Sequence, residues 1–368
     1  MFKRILNFLK TTLVLFFLTF LLTLFIDFFF GKSILVKLEP YLSKTDFYGR
    51  LIRIDHKFYH HTLRENVHYK KSPSFYGSYT LCTDNFGFKY KCNQTRDKEF
   101  DIAFMGDSFV EVALDYEKTF VGLYEKNKKI SVANLGVTSY APNIYLSKMK
   151  YLLDKNFKFK HVIVFVDISD LYDDNTFYKL NNDLSVSEKN AKEKRLKSRK
   201  FLRYNFPLTN YYFYVIKMNR RLNNEVPPSK SLTPIFTEKA ALKAKWTYQK
   251  DDVIKGYKDP ISKTQNEMIS AMTQFHELLA KNNIKMSLAV YPWPQQIEFD
   301  VVNSKHVKMW REFCKQKCFK FIDFFPFFFD EKEKSSFLEV YKKYYFWNDP
   351  HFNADGNRII AERLIKEF

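Results

Sequence analysis

Phe104-Met105-Gly106-Asp107-Ser108-Phe109 is the stretch on which the reading of this chain turns. The apolar run from Ile102 to Met105 has the pattern of a buried strand, and Gly106 is the breaker that ends it. A helical pattern follows the turn. A serine at such a turn projects its hydroxyl past the carboxyl end of a sheet. Its N–H lies at a helix N-terminus, where developing negative charge is stabilised. Ser108 is therefore a candidate nucleophile. Asp107 and Ser108 also suit plain helix capping, so the stretch has to be weighed against the rest of the chain.

Working outward, strands and helices alternate from Phe100 onward. Strand runs fall at Asp101 to Met105, Ile130 to Leu135, Val162 to Val166, Ile284 to Tyr291 and Phe319 to Ile322. Helical patterns fall near Glu117 to Lys126, Pro142 to Asn156, Ser262 to Lys281, Ser304 to Lys317 and Ala354 to Lys366. Short apolar strands between helices predict an α/β fold with a parallel sheet covered on both faces. Ligands bind such sheets at the carboxyl ends of the strands. The alternation stops over an insertion at about 174–260, which holds Asn, Lys and Arg runs, Tyr211-Tyr212-Phe213-Tyr214 and Pro227-Pro228. A lid, a membrane-facing surface and a mobile excursion all fit it.

The N-terminus reads differently. Lys3, Arg4 and Lys10 precede an apolar run from Thr11 to Phe30, broken only by threonines and Asp27. That run is long enough to cross a bilayer as a helix, and the basic residues before it predict a cytoplasmic N-terminus. A cleaved signal would have a shorter apolar core and small residues at its exit, whereas Phe28-Phe29-Phe30-Gly31-Lys32 has none of the Ala-x-Ala type. Residues 1–32 are thus expected to be an uncleaved anchor, with the remainder periplasmic or otherwise extracytoplasmic. Residues 33–99 form a lead-in, in which His56, His60, His61 and His68 read as stray surface histidines. Tyr79 to Tyr90 reads as a short hairpin. Residues 100–368 form the main domain.

The 368 residues carry four cysteines, and an even number in an exported chain permits two disulfides. Cys82 and Cys92 flank a turn-like Asn85-Phe86-Gly87. Cys314 and Cys318 can pair only where their helix has ended. Zinc ligation is the rival use of these thiols, but the spacings do not match the usual knuckles. The formal charge of +19 invites an anionic partner, yet the lysines are scattered among Asp and Glu as a solvated surface would have them. No helix-turn-helix, zinc-finger or aromatic-basic motif accompanies the charge, which argues against nucleic acid.

The candidate chemistry collects in four segments. These are Gly106-Asp107-Ser108, Asn134-Leu135-Gly136, Asp167-Ile168-Ser169-Asp170, and Asn348-Asp349-Pro350-His351-Phe352-Asn353. A serine hydroxyl needs an adjacent base, which His351 supplies, and Asp349 would hold the imidazole tautomer. The oxyanion donors expected are the N–H of Ser108, the N–H of Gly136 and the hydroxyl of Ser169. Asp107 and Asp170 would support them. Each segment alone also reads as an ordinary strand exit or turn. Their joint placement at strand ends favours acyl transfer.

This arrangement resembles the SGNH (GDSL-type) hydrolase superfamily from Phe100 to Phe368, the insertion apart. The resemblance implies a three-layer α/β/α, flavodoxin-like domain. It matches Ser108 to the nucleophile, Gly136 to the second-block glycine, and Asp349 with His351 to the C-terminal pair. Two blocks depart from the pattern. Ser169-Asp170 stands where Asn-Asp is usual, and Asp-x-His stands where Asp-x-x-His is common. The shorter ending looks like the membrane-anchored branch resembling alginate-type O-acetyltransferases. The resemblance implies ester or acetyl-transfer chemistry on cell-surface carbohydrate, and no cofactor or metal. A transferase outside the cytoplasm would need an activated donor, so a membrane-bound acyl-donor protein is a candidate partner. Tyr291, Trp293 and Trp347 would be candidate sugar-stacking walls. A catalytically silent glycan-binding scaffold and a lipid esterase are the alternative expectations.

Overall fold

The computed structural model describes residues 2–38, 52–74, 77–189, 201–202, 204–222, 236 and 238–368. Five strands form one parallel sheet: β1 (Glu99–Met105), β2 (Val132–Asn134), β3 (Lys158–Val166), β4 (Lys285–Val290) and β5 (Lys320–Asp323). Their order is β5-β4-β3-β1-β2. Read from β2, it is the order of a flavodoxin-like doubly wound sheet, with its switch point between β1 and β3. Ala103, Phe104, Val162, Ile163, Leu288 and Ala289 are wholly buried, as strands covered on both faces must be. β3 starts at Lys158, ahead of the expected Val162. Lys158 and Lys160 hid that extension from an apolar-run criterion. In the structure they stand exposed between buried Phe159 and His161, with Nζ atoms 2.5 and 2.7 Å from Glu99 and Asp101 of β1.

The helices that matter to the argument are α1 (Phe2–Leu38), α2 (Ser108–Glu111), α3 (Phe120–Lys128), α4 (Pro142–Asp154), α5 (Ser169–Thr176), α6 (Pro207–Leu222), α7 (Ile261–Lys281), α8 (Lys305–Lys317) and α9 (Ala354–Glu367). α3 packs with α9, and α4 with α7, giving the two helical layers. Asn357 of α9 ties one layer together, its Oδ1 accepting the N–H of Phe120 at 3.0 Å.

The chain forms two compact units. One contains the sheet and runs through Ile52–Lys71, Phe75–Lys189 and Pro228–Phe368. Apart from Ser72–Ser74, the described part of the lead-in after residue 51 belongs to it. Ile52, Tyr59 and Leu63 are buried there, and a hairpin pairs Arg53–His56 with His60–Leu63. This corrects the expectation of stray surface histidines. His56 stacks on Tyr59 with ring centres 3.6 Å apart, and His61 Nε2 lies 2.9 Å from the carbonyl of Thr138. Aromatic neighbours take up those rings because the hairpin lies over α4, where Ser147 Oγ donates to Phe58 O. His68 remains exposed.

The disulfides pair Cys82 with Cys92 and Cys314 with Cys318, which occupies the sulfurs that zinc ligation would need. The first staples the turn around Asp84, whose Oδ1 accepts the N–H of Phe86 and of Phe88, both at 2.9 Å. Gly87 sits at φ +76, and a Cβ there would meet Leu63 O at 2.4 Å, so this turn requires glycine. The second closes where α8 stops, with Cys318 as its C-cap.

The other unit contains α1 and α6. α1 is long and apolar enough to cross a membrane. α6 carries Tyr211-Tyr212-Phe213-Tyr214 from the insertion. The basic run over 190–200 and Pro227-Pro228 lie outside the described residues.

Candidate active site

β1 delivers Gly106 and Asp107 to the switch point, and the chain turns at once into α2. A Cβ at Gly106 would meet Val110 Cγ2 at 2.4 Å, so this turn is tight because the residue is glycine. Asp107 caps α2, its Oδ1 accepting the N–H of Phe109 at 2.9 Å. Ser108 is the first residue of α2, where a backbone N–H has no intrahelical acceptor.

The loop before α9 brings the base. His351 Nε2 lies 2.7 Å from Ser108 Oγ, and its Nδ1 is hydrogen-bonded to Asp349 Oδ1. That second bond places the proton on Nδ1 and leaves Nε2 to accept. The imidazole packs against Phe109, with ring centres 4.7 Å apart. Tyr341 holds the loop in place. Its hydroxyl donates to Phe346 O at 2.8 Å and accepts the N–H of Asp349 at 2.9 Å. Burial alone would lower the basicity of His351, but the Asp349 carboxylate more than offsets it and the net shift is upward.

The oxyanion donors expected from sequence are differently disposed. Gly136 follows β2 as expected, but its N–H donates to Asn134 Oδ1 at 3.1 Å. The reason for glycine also differs from the expected approach to a ligand. A Cβ at Gly136 would meet Val110 Cβ at 2.4 Å and Glu111 N at 2.9 Å, so the residue lets the β2 loop close onto the nucleophile helix. Ser169 is buried, 1% exposed, and its N–H donates to Asp167 Oδ1 at 2.6 Å. Only the Ser108 N–H sits at an open helix end.

Asp107, Asp167 and Asp170 meet beneath the serine, with carboxylate oxygens within 4.8 Å of one another. Donors surround them. Asp107 Oδ2 faces Ser108 Oγ at 3.0 Å, Asp167 Oδ2 accepts the Trp293 indole N–H at 2.9 Å, and Asp170 Oδ2 accepts the Tyr145 hydroxyl at 2.9 Å. Burial first, and the neighbouring carboxylates second, raise the pKa of Asp107 and of Asp170. A protonated Asp107 donates to Ser108 Oγ, whereas an ionised one competes with His351 for the serine proton.

Two of the expected sugar walls are corrected. Tyr291 and Trp293 are 0% and 4% exposed, and both polar tips point to Asp167. They form the floor under the carboxyl cluster, because a buried indole N–H or phenol takes an acceptor where one is available. Trp347 is half-buried against Tyr341.

The structure adds residues that sequence reading missed. Glu111 of α2 is buried. It accepts the N–H and the hydroxyl of Thr138 at 2.7 and 2.8 Å and pairs with Arg53 of the lead-in. Burial would raise its pKa, but Arg53 and the Thr138 donors hold it below the ordinary carboxylate range. Two buried lysines reach the same loops. Lys89 Nζ donates to Val112 O and Leu114 O at 2.5 and 2.6 Å, and Lys148 Nζ donates to Leu135 O at 3.0 Å. Burial lowers their pKa values to about 8 and about 7. Among sixty Lys and Arg residues nothing local distinguishes these two from surface lysines.

No family model matches the chain, and no curated protein does. Several solved structures are similar to it in fold. The psychrotrophic esterase EstA of Pseudoalteromonas sp. is 12% identical with a TM-score of 0.36, covering 73% of this chain and 96% of its own. A Desulfitobacterium hafniense protein assigned to the lipolytic G-D-S-L family is 13% identical at 0.34, covering 74% and 100%. A Corynascus carbohydrate esterase family 2 enzyme with a carbohydrate-binding domain is 13% identical at 0.33, covering 79% and 72%. At these values the role of each residue rests on the geometry alone.

Proposed function

We propose that this chain is a serine-dependent acyl-ester enzyme of the SGNH type, working through an acyl-Ser108 intermediate. The observation that carries the reading is the Ser108–His351–Asp349 line at hydrogen-bond distance, with Ser108 at a helix N-terminus. His351 Nε2 takes the hydroxyl proton as Ser108 Oγ attacks the ester carbonyl. The Ser108 N–H is placed to meet the oxyanion. As the tetrahedral adduct collapses, His351 returns the proton to the leaving alcohol oxygen. Water or a second hydroxyl then gives its proton to His351 and attacks the acyl-serine; as this second adduct collapses, the acyl–Oγ bond breaks, His351 returns the proton to Ser108 Oγ, and the acid or new ester leaves the restored enzyme.

The substrate class proposed is O-acylated cell-surface carbohydrate, with acetyl as the acyl group and transfer to a sugar hydroxyl as an alternative to hydrolysis. An extracytoplasmic site is supported by α1, by the basic residues before it, and by two paired disulfides. A transferase there needs an activated donor, and a membrane-bound acyl-donor protein would supply it. A silent scaffold would be favoured by a serine out of reach of its base, and here the two are 2.7 Å apart.

The test follows chromophore release from an acetyl aryl ester by the full chain in detergent, beside Ser108→Ala and His351→Ala. Activity lost in both well-folded variants supports the serine mechanism. Added sugars that gain the acetyl group separate transfer from hydrolysis. A folded wild type inactive on several acyl lengths would sink the proposal.

A further inference from the structure

Asp27 is the only charged residue between Lys10 and Lys32, in a stretch otherwise made of apolar and small residues. A carboxylate at that depth of a bilayer-spanning helix is costly, and it persists where a partner meets it. The structure supplies the partner. Asp27 is 1% exposed, although the apolar side chains around it, Phe25, Phe28 and Phe29 among them, stand open. Its Oδ1 accepts the backbone N–H of Leu208 at 2.8 Å, and its Oδ2 accepts that of Thr209 at 2.7 Å.

These two N–H groups belong to the first turn of α6, where they have no intrahelical acceptor. Asp27 is thus the N-cap of α6, supplied from another helix, and its charge also complements the helix dipole. The neighbouring residues fit this contact. Pro207 opens α6, a position that suits proline. A Cβ at Gly31 would lie 2.9 Å from Pro207 Cγ, so glycine lets the two chains touch. One turn further along α1, Leu35 is buried against Leu208, Tyr211 and Tyr214. Phe206 rests on Phe28, with ring centres 5.7 Å apart.

The location of Asp27 therefore fixes that of the start of α6. Asp27 lies five residues before Lys32, or roughly 7–8 Å along the helix axis at 1.5 Å per residue. If α1 spans a membrane, as read above, that point lies inside the hydrocarbon edge of the leaflet at the Lys32 end. The outward side of the docked segment matches that setting. Phe201, Leu202, Tyr212 and Phe213 are 57, 49, 64 and 64% exposed, beside the exposed apolar surface of α1. Tyrosine, like tryptophan, favours the headgroup boundary, and the apolar Phe201, Leu202 and Phe213 suit the acyl region just beneath it.

We infer that the segment from Phe201 through α6 is a second membrane-contacting element, seated in the leaflet at the Lys32 end of α1 and held there by Asp27. Its partner is lipid. α6 lies in the interface with its exposed aromatics at the boundary of headgroups and acyl chains, as amphipathic helices do. This assigns a role to part of the insertion and rests on α1 spanning the bilayer.

The test uses the full chain in vesicles. All four native cysteines are in disulfides, so a single added cysteine takes an environment-sensitive fluorophore cleanly. Labels go on Phe213→Cys, on Leu18→Cys in α1, and on Val253→Cys, an exposed site in the other unit. Lipids carrying a quencher near the headgroup or near the bilayer centre report depth. The inference expects the Phe213 label to be quenched from the shallow position, the Leu18 label from the deep one, and the Val253 label from neither. Asp27→Leu, which removes the cap acceptor, should bring quenching of the Phe213 label down toward that of the Val253 label. A Phe213 label that behaves like the Val253 label, while Leu18 is deeply quenched, overturns the inference. Quenching at Phe213 that survives Asp27→Leu overturns the role of Asp27. A Leu18 label without deep quenching removes the spanning helix on which both rest.

Discussion

At the residue scale, the proposed function reduces to where two protons sit. His351 must be neutral to accept the Ser108 proton, and Asp349 raises its pKa above the ordinary 6.5 despite burial. The required form therefore appears as pH rises through that raised value. We expect the acid limb of a kcat/KM–pH profile to lie above pH 6.5 and to move down in Asp349→Asn, with a large loss of rate. An acid limb that stays put in Asp349→Asn would mean another group is titrating. Asp107 acts in the opposite sense, because its protonated form leaves His351 the only acceptor for the serine proton. Asp107→Asn keeps the cap and cannot ionise, so its rate should hold on the alkaline side where that of the wild type falls. Ser108→Ala and His351→Ala should each cost about 10²–10⁴-fold or more in kcat. Ser108, His351 and Asp349 were legible in the sequence as residues to bring together, because their segments stand in the order that acyl transfer needs, although each segment alone also fits a turn or a cap. The meeting of Asp107, Asp167 and Asp170 was not, since it depends on three chain segments converging.

At the element scale, the loops carrying the site are held by buried groups on neighbouring elements. Lys89 donates to two carbonyls just after α2, where Val112 sits at φ 47, a left-handed conformation that a β-branched residue rarely adopts. Lys89→Met should leave both carbonyls unsatisfied, costing about 1–3 kcal/mol each. Denaturant unfolding measures that loss, and an unchanged midpoint would refute the clamp. Asp174 at the end of α5 gives a signed pH test. Burial raises its pKa to about 8, and its Oδ2 accepts the Asn143 N–H at 3.3 Å. Between its unfolded value of 3.8 and about 8, the folded chain holds a proton that the unfolded chain has released. This contribution is complete at low pH and is lost as pH rises through that window. Asp174→Asn keeps the acceptor without ionising, so its Tm relative to wild type should climb from about pH 5 to about pH 8. A pH-independent difference would place the buried proton elsewhere. The elements themselves were mostly readable in advance, and β3 was short only because Lys158 and Lys160 masked its first turns of alternation.

At the scale of the whole molecule, two units carry two tasks. The sheet unit holds the candidate chemistry, and the α1–α6 unit holds the apolar surface. Membranes from cells making the full chain should retain it through an alkaline carbonate wash, and protease added to spheroplasts, from which any outer envelope has been removed, should cleave within the sheet unit. Release by carbonate would remove the anchor, and protection from the protease would reverse the orientation. Each disulfide acts within a single segment. Replacing Cys82 and Cys92 together, a separation of ten residues, should lower Tm more than replacing Cys314 and Cys318, separated by four, since the longer loop loses more closure entropy. Equal losses would mean that local packing dominates.

The sequence by itself determined the α/β alternation, the apolar N-terminal helix, and Ser108, Asp349 and His351 as the residues to bring together. These signals are readable along the chain: apolar runs of strand length, breakers at their ends, and the order in which the polar segments follow them. Only the tertiary structure decided that Gly136 faces the nucleophile helix with its N–H bound to Asn134, that Tyr291 and Trp293 are floor and not wall, and that His61 abuts the β2 loop. It alone made Lys89 and Lys148 interior residues and Asp27 a cap for a helix some 180 positions away. The reason is common to all of them. A polar side chain carries no mark in the sequence of whether water or a distant backbone group will satisfy it, and only packing removes the water.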